Sequence, residues 1–152
     1  MTIDFSLEPK PPFRLDLTAW ALRRRPSNAM DRWDGETYRR VLMLNGKPCE
    51  VAVTQIAPPN SPRLQVAITG ARLTSDVKIA TTSSLERLLG VRVDLTEFYR
   101  LAARDGNLAP LAERFRGLKP PRFPTLFEAL ANGIACQQMS LTLGILLLNR
   151  LA

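Results

Sequence analysis

The chemistry open to this 152-residue chain is narrowed by the absence of histidine. Without an imidazole the sequence excludes Ser-His-Asp and Cys-His nucleophile arrangements, a histidine general base and a His-ligated metal site. Cys49 and Cys136 lie too far apart for a metal-ligand or redox pair, and we expect them to be buried thiols in a reducing cytosol. Acids such as Asp94 and Asp105 are expected to cap helices or lie on solvated faces, not to form a general-base pair.

The charge balance points to a different kind of chemistry. Lys and Arg number 21 against 14 Asp and Glu, a net charge of +7. Most of these cations are arginines, whose planar fork matches phosphate oxygens, which favours a polyanionic partner. From charge alone, a soluble protein that happens to be basic is an equally open alternative. The basic residues form two clusters: Arg23, Arg24 and Arg25, and then Arg114, Arg116, Lys119 and Arg122. The first cluster also fits a structural role at a helix end, where cations complement the dipole.

The elements that would position these residues begin with short strands. Alternating apolar side chains predict strands over 3–7, Thr37–Leu44, Glu50–Ile56 and Arg63–Gly70, with Asn45-Gly46 supplying a tight hairpin turn.

Between the first two strands, the pattern Phe13, Leu15, Leu17 predicts a further strand passing into a short helix that ends before Pro26. We expect Phe13, Trp20 and Trp33 to lie in the core.

The period then becomes helical, so the chain is predicted to be an α+β protein. Helices are expected over Ser75–Leu89, from Asp94, over Leu108–Phe115, over Thr125–Cys136 and over Leu141–Leu151. The last helix has leucine or isoleucine on every side, so it must be buried all round or paired with a partner. We expect a chain that ends inside a larger helical domain, whose missing C-terminal segment or a second copy covers this helix. The segment is too short to span a bilayer.

The stretch from Phe123 to Ser140 resembles the opening of the helix-hairpin-helix DNA glycosylases, in particular the DNA-3-methyladenine glycosylase II type and the related 8-oxoguanine enzymes. Phe127-Glu128-Ala129 and Gln137-Gln138-Met139-Ser140 match the pattern of that family at the expected spacing. Pro11-Pro12-Phe13 agrees as well, and the resemblance extends over nearly the whole chain. Cys136 departs from the pattern, because the family commonly has glycine there.

The resemblance implies two domains. Residues 1–117 would be a TATA-binding-protein-like domain, an antiparallel sheet over about 1–70 followed by helices over about 75–116. Residues 118–152 would be the first helices of an all-α helix-hairpin-helix glycosylase domain.

The resemblance also implies roles in DNA binding. Enzymes of this kind flip a damaged base out of the duplex and fill the gap with a wedge side chain. Gln138 would be the wedge, Gln137 would line the mouth of the pocket, and Ser140 would cap the next helix. Lys119 and Arg122 are expected to contact DNA phosphates. Candidates for further pocket or phosphate contacts are Trp20, Arg23 and Arg24.

The implied function is base-excision repair: removal of alkylated bases of the 3-methyladenine type from duplex DNA by hydrolysis of the N-glycosidic bond. We expect no metal or nucleotide cofactor, no membrane contact and a cytoplasmic location. The family's catalytic Asp and hairpin would lie downstream, so this chain alone should not excise bases. A non-catalytic DNA-binding or interaction module of the same fold is the alternative, and another lesion class such as 8-oxoguanine stays open.

Overall fold

The computed structural model describes residues 1–70 and 75–152, which form five strands and six helices. These are β1 Thr2–Leu7, α1 Leu15–Arg23, β2 Arg32–Trp33, β3 Thr37–Leu44, β4 Lys47–Gln55, β5 Leu64–Thr69, α2 Ser75–Leu88, α3 Thr96–Ala102, α4 Leu108–Arg114, α5 Leu126–Ala135 and α6 Leu141–Leu151. The predicted α+β class is confirmed.

The strands form one antiparallel sheet in the order β1-β5-β4-β3-β2. The predicted hairpin is confirmed, since Leu44 pairs with Lys47 across a turn in which Asn45 and Gly46 have φ of 52° and 73°. Such positive φ values suit the right-handed twist of the two strands. β4 begins at Lys47, earlier than the predicted Glu50.

The core lies on one face of the sheet. Alternate residues of β3, β4 and β5 are buried there, as the period of a strand requires. The buried faces of α1 and α2 belong to the same apolar cluster. Its central members are Phe13, Leu15, Leu22, Tyr38, Val51, Val53, Leu64, Val66, Ile68, Val77, Leu85 and Leu88.

The predicted strand over Phe13–Leu17 is wrong, because α1 begins at Leu15 and buries residues at helical spacing. Trp20 lies off that buried face; it is 60% exposed and stacks on Phe115 with ring centroids 6.1 Å apart. Its expected place in the core is therefore also wrong. Phe13 is fully buried, as predicted, and Trp33 packs at the margin of the core.

The two last helices pack on each other with much of their apolar surface uncovered. α6 buries only Gly144, Ile145 and Leu148. The large apolar side chains that stay exposed on the pair are Leu126, Phe127, Leu130, Ile134, Leu143, Leu146, Leu147 and Leu151. The last helix is thus not buried all round, and the predicted domain boundary after residue 117 stays a prediction.

Over residues 1–70 and 75–152, none of the helices combines the length and the apolar character needed to cross a membrane.

Candidate nucleic-acid interface

The turn between α5 and α6 carries the two predicted glutamines. Gln137 and Gln138 are both exposed, and Gln138 has a left-handed backbone with φ of 55°. The turn stays attached to α5 because the N–H of Cys136 donates to the carbonyl of Asn132 at 3.0 Å. Ser140 follows and caps α6, its Oγ accepting from the N–H of Leu143 at 3.3 Å, which confirms the predicted cap. The arrangement presents two amide side chains to solvent between two anchored helices.

A close approach of α6 fixes the base of this turn. A Cβ added at Gly144 would lie 2.7 Å from Sγ of Cys136 and 2.9 Å from the carbonyl oxygen of Ala135. Glycine is therefore required for α6 to pack here. The predicted burial of Cys49 is confirmed, whereas Cys136 is only half-buried; both thiols are free.

Arg24 connects the sheet to the same turn. It follows the last residue of α1 with φ of 57°, and its guanidinium donates to Oδ1 of Asn132 and, at 3.8 Å, to Sγ of Cys136. Arg23 instead donates to the carbonyl of Pro26 at 2.9 Å, and its buried Nε has no partner among the described residues. Both predicted phosphate contacts are thus engaged within the protein in this structure.

Lys119 is the clearest correction to the predicted interface. Its side chain is fully buried, and Nζ donates to the carbonyl of Val93 at 2.7 Å. Burial lowers the pKa of the Lys119 ammonium, an effect that the nearby carboxylate of Asp94 opposes. A phosphate cannot reach this group, so the expected DNA contact by Lys119 is wrong.

The rest of the second basic cluster is exposed. Arg122 donates only its backbone N–H, to Leu88 at 3.3 Å, and its guanidinium makes no ion pair within the described residues. Arg114 lies over the ring of Phe115 at 5.7 Å. Arg116 pairs with Glu113 at 2.8 Å. Arg114 and Arg122 therefore keep charge available for an external anion.

A buried polar cluster, not anticipated from the sequence, joins the sheet to α5. Oδ1 of Asp31 accepts from the hydroxyl of Tyr38 at 2.5 Å and from the guanidinium of Arg40 at 2.7 Å. Arg40 also donates to Glu128 on α5. Burial raises the pKa of Tyr38 well above its ordinary value, and the charge of Asp31 adds to this rise. Burial opposes the charge on Arg40, yet Asp31, Tyr38 and Glu128 together raise its pKa.

The sequence does contain a signal for this cluster. Arg40 lies on β3 at the same alternation as the buried Tyr38 and Leu42, and a charged residue on the core face of a strand requires a buried partner.

Asn149 adds a second connection, from α6 to the loop after α1. Its Oδ1 accepts from the N–H of Ala29 at 3.0 Å, and its Nδ2 donates to the carbonyl of Ser27 at 2.6 Å. Beside these contacts a groove of about 1220 Å³ runs between β3 and α5, lined by residues that include Val41, Met43 and Phe127. Within the part of the chain that the structure describes, no three His, Cys, Asp or Glu side chains are grouped for a metal ion.

The family model of the AlkA N-terminal domain matches residues 4–124. The chain belongs to the AlkA N-terminal domain family. The match begins within β1 and includes strands β2 to β5 and helices α1 to α4. It ends before the turn with Gln137 and Gln138, so the roles of these two residues stay predictions.

A solved structure supports the same fold over a longer stretch. The 3-methyladenine DNA glycosylase from Archaeoglobus fulgidus superposes with a TM-score of 0.72 at 22% sequence identity, over 93% of this chain and 47% of that one. The chain thus spans about half the length of that glycosylase. None of the curated protein sequences compared with the chain matches it. At this level of identity the likeness shows a shared fold.

Proposed function

We propose that the chain serves as the N-terminal half of a base-excision-repair DNA glycosylase. That enzyme would remove alkylated bases of the 3-methyladenine type from duplex DNA. Membership of the AlkA N-terminal domain family supports this, as does the match to half of a 3-methyladenine DNA glycosylase. The observation that carries the proposal is the exposed turn in which Gln138, with a left-handed backbone, precedes the Ser140 cap of α6.

In this role Gln138 enters the duplex when the damaged base leaves it. Its stem fills the vacated space, and its amide hydrogen-bonds to the orphaned partner base. Extrusion costs a few kcal/mol, least for a lesion that already pairs poorly. Gln137, next to it and also exposed, lines the mouth of the base pocket.

The remaining exposed cations provide the electrostatic part of binding. Arg114 and Arg122 are proposed to contact phosphates, a contact that does not depend on base sequence and weakens as salt rises.

The remainder of the glycosylase covers the exposed apolar faces of α5 and α6 and supplies the catalytic Asp, which stabilises an oxocarbenium-like sugar while water breaks the N-glycosidic bond. We propose that the reaction uses no metal or nucleotide cofactor. A cytoplasmic location belongs to the same proposal and agrees with the free thiols of Cys49 and Cys136.

Binding of the chain to two duplexes tests the proposal. One duplex is intact and the other carries a central tetrahydrofuran abasic site in the same sequence. We expect both affinities to fall with salt. The abasic duplex should bind about tenfold tighter, since it has no base to extrude and extrusion costs a few kcal/mol. Salt-dependent binding without this preference would favour the non-catalytic DNA-binding module. Affinities that do not change with salt would contradict phosphate binding altogether.

A further inference from the structure

We propose that Arg24 is a positioning residue that holds the turn between α5 and α6 in place from the side of the sheet. We call this turn, which carries Gln137 and Gln138, the glutamine turn. The inference rests on the proposed function, because it concerns the geometry with which Gln138 enters DNA. It assigns a role in damage recognition to the end of α1, outside the turn itself.

The backbone of Arg24 shows that this residue is held in an uncommon conformation. Its φ of 57° with ψ of −39° is a combination that residues other than glycine rarely adopt. Its N–H still donates to the carbonyl of Trp20 at 3.0 Å, so the residue closes α1 while its side chain leaves the helix. The contacts of the guanidinium offset the unfavourable backbone.

The first of those contacts lies on the last turn of α5. One acceptor is Oδ1 of Asn132, a buried residue whose own Nδ2 donates to the carbonyl of Glu128 at 3.0 Å. The backbone carbonyl of the same Asn132 accepts from the N–H of Cys136. Arg24 therefore binds the residue on which the glutamine turn is fastened.

The second acceptor lies within the turn. Sγ of Cys136 accepts a hydrogen bond from the guanidinium of Arg24 on one side. On its other side the backbone of α6 packs closely at Gly144. Gln138 follows two residues later in the chain. The turn is thus fixed between the guanidinium of Arg24, just after α1, and a helix that tolerates no side chain at the contact. In the resembling family glycine is common at the position of Cys136, and glycine offers no side-chain acceptor to this arginine.

Arg25 provides a matched control. It is the next residue in the chain, it carries the same charge, and it is exposed. Its guanidinium makes no hydrogen bond or ion pair within residues 1–70 and 75–152. Loss of charge at Arg24 and Arg25 is therefore equal, whereas loss of contact with the turn is specific to Arg24.

The test compares Arg24→Gln and Arg25→Gln with the unaltered chain on the intact and abasic duplexes. We expect Arg25→Gln to weaken both duplexes by the same factor and keep the ratio of the two affinities. Arg24→Gln should lower that ratio about tenfold, because a displaced wedge loses its contact with the orphaned base while phosphate contacts remain. A partial return of the ratio is expected for Arg24→Lys, which has donors but not the planar fork.

Thermal melting verifies that each variant is folded. If Arg24→Gln does not fold, Asn132→Ser carries the test, since it shortens the acceptor and keeps the arginine; we expect it to lower the ratio as well. Equal ratios for folded Arg24→Gln and Arg25→Gln would overturn the inference, and the proposed function would still stand on the preference of the unaltered chain. If the unaltered chain shows no preference, the proposed function fails, and the inference fails with it.

Discussion

The sheet and the two last helices use the same apolar residue types with opposite results. Leu64, Val66 and Ile68 on β5 are fully buried, whereas Leu126, Phe127 and Ile134 on α5 are 72%, 69% and 70% exposed. The sheet closes its core with α1 and α2, so its apolar pattern and its burial agree. α5 and α6 have an apolar pattern without the surface that would cover it. An apolar sequence pattern therefore indicates that a helix face can be buried, and only the structure shows whether it is.

Polar contacts join these two regions. Arg40 reaches Glu128, Arg24 reaches Asn132, and Asn149 bonds to the loop after α1. Buried polar contacts fix geometry more than they add stability, because desolvation offsets much of the attraction. We infer that these polar contacts set the position of the glutamine turn, while the core of the sheet supplies most of the folding free energy.

The largest effect on this comparison is expected from removing Asp31, the buried acid that bonds to Arg40. Asp31→Ala should lower the free energy of unfolding by about 3–5 kcal/mol, because it leaves the Arg40 guanidinium and the Tyr38 hydroxyl without a buried partner. The control is Glu50→Ala, which breaks an exposed pair with Arg32 and should cost less than about 1 kcal/mol. Urea denaturation followed by circular dichroism measures both. Similar losses for the two variants would show that Asp31 and Arg40 do not form a buried pair in solution.

A pair of leucine substitutions sharpens the contrast in burial. Leu85→Ala on α2 should cost about 2–5 kcal/mol, since it opens a cavity in the core. Leu130→Ala on α5 should change stability by no more than about 0.5 kcal/mol, because that side chain is already exposed. The same denaturation experiment measures both, and a large loss for Leu130→Ala would mean that α5 is covered in solution.

Two cations test which part of the basic cluster meets DNA. Arg122→Gln should reduce the dependence of log affinity on log salt by about one ion. Lys119→Met should leave that dependence unchanged, because its ammonium is buried, but it should cost about 1–3 kcal/mol of stability by removing the donor to Val93. A reduced salt dependence for Lys119→Met would restore the DNA contact that the structure rejects.

The smallest expected effect concerns acid pH. The pKa of Asp105 is lowered by hydrogen bonds from the N–H groups of Leu108 and Asn107, at the start of α4. Its contribution to stability is therefore present above the ordinary aspartate pKa, near 3.9, and is lost as the pH falls below it. Asp105→Asn should lose less stability than the unaltered chain on acidification. Identical pH profiles in thermal melting would contradict this.

Local chemistry made much of the fold predictable. Alternation and Asn45-Gly46 predict the hairpin correctly because both act within a few residues. The start of α1 was not predictable, since Phe13, Leu15 and Leu17 fit the period of a strand until the core selects a helix face.

Positions that depend on tertiary contacts escaped the sequence. The sequence predicts a DNA contact for Lys119 and a buried Trp20, whereas Lys119 is buried and Trp20 is exposed. Ser140 was predicted as a cap because capping is local. Its neighbours in the turn were found through their resemblance to a family motif, and the contact of Arg24 with Asn132 joins residues too distant in the chain for any spacing to reveal.

The most direct test of the account follows Gln138 into the duplex. 2-Aminopurine placed opposite an abasic site fluoresces more strongly when its stacking is disturbed, so binding of the unaltered chain should raise the signal. Gln138→Ala should bind with similar salt dependence and leave the fluorescence close to that of free DNA. An equal rise with Gln138→Ala would contradict the claim that this turn supplies the wedge of a DNA glycosylase.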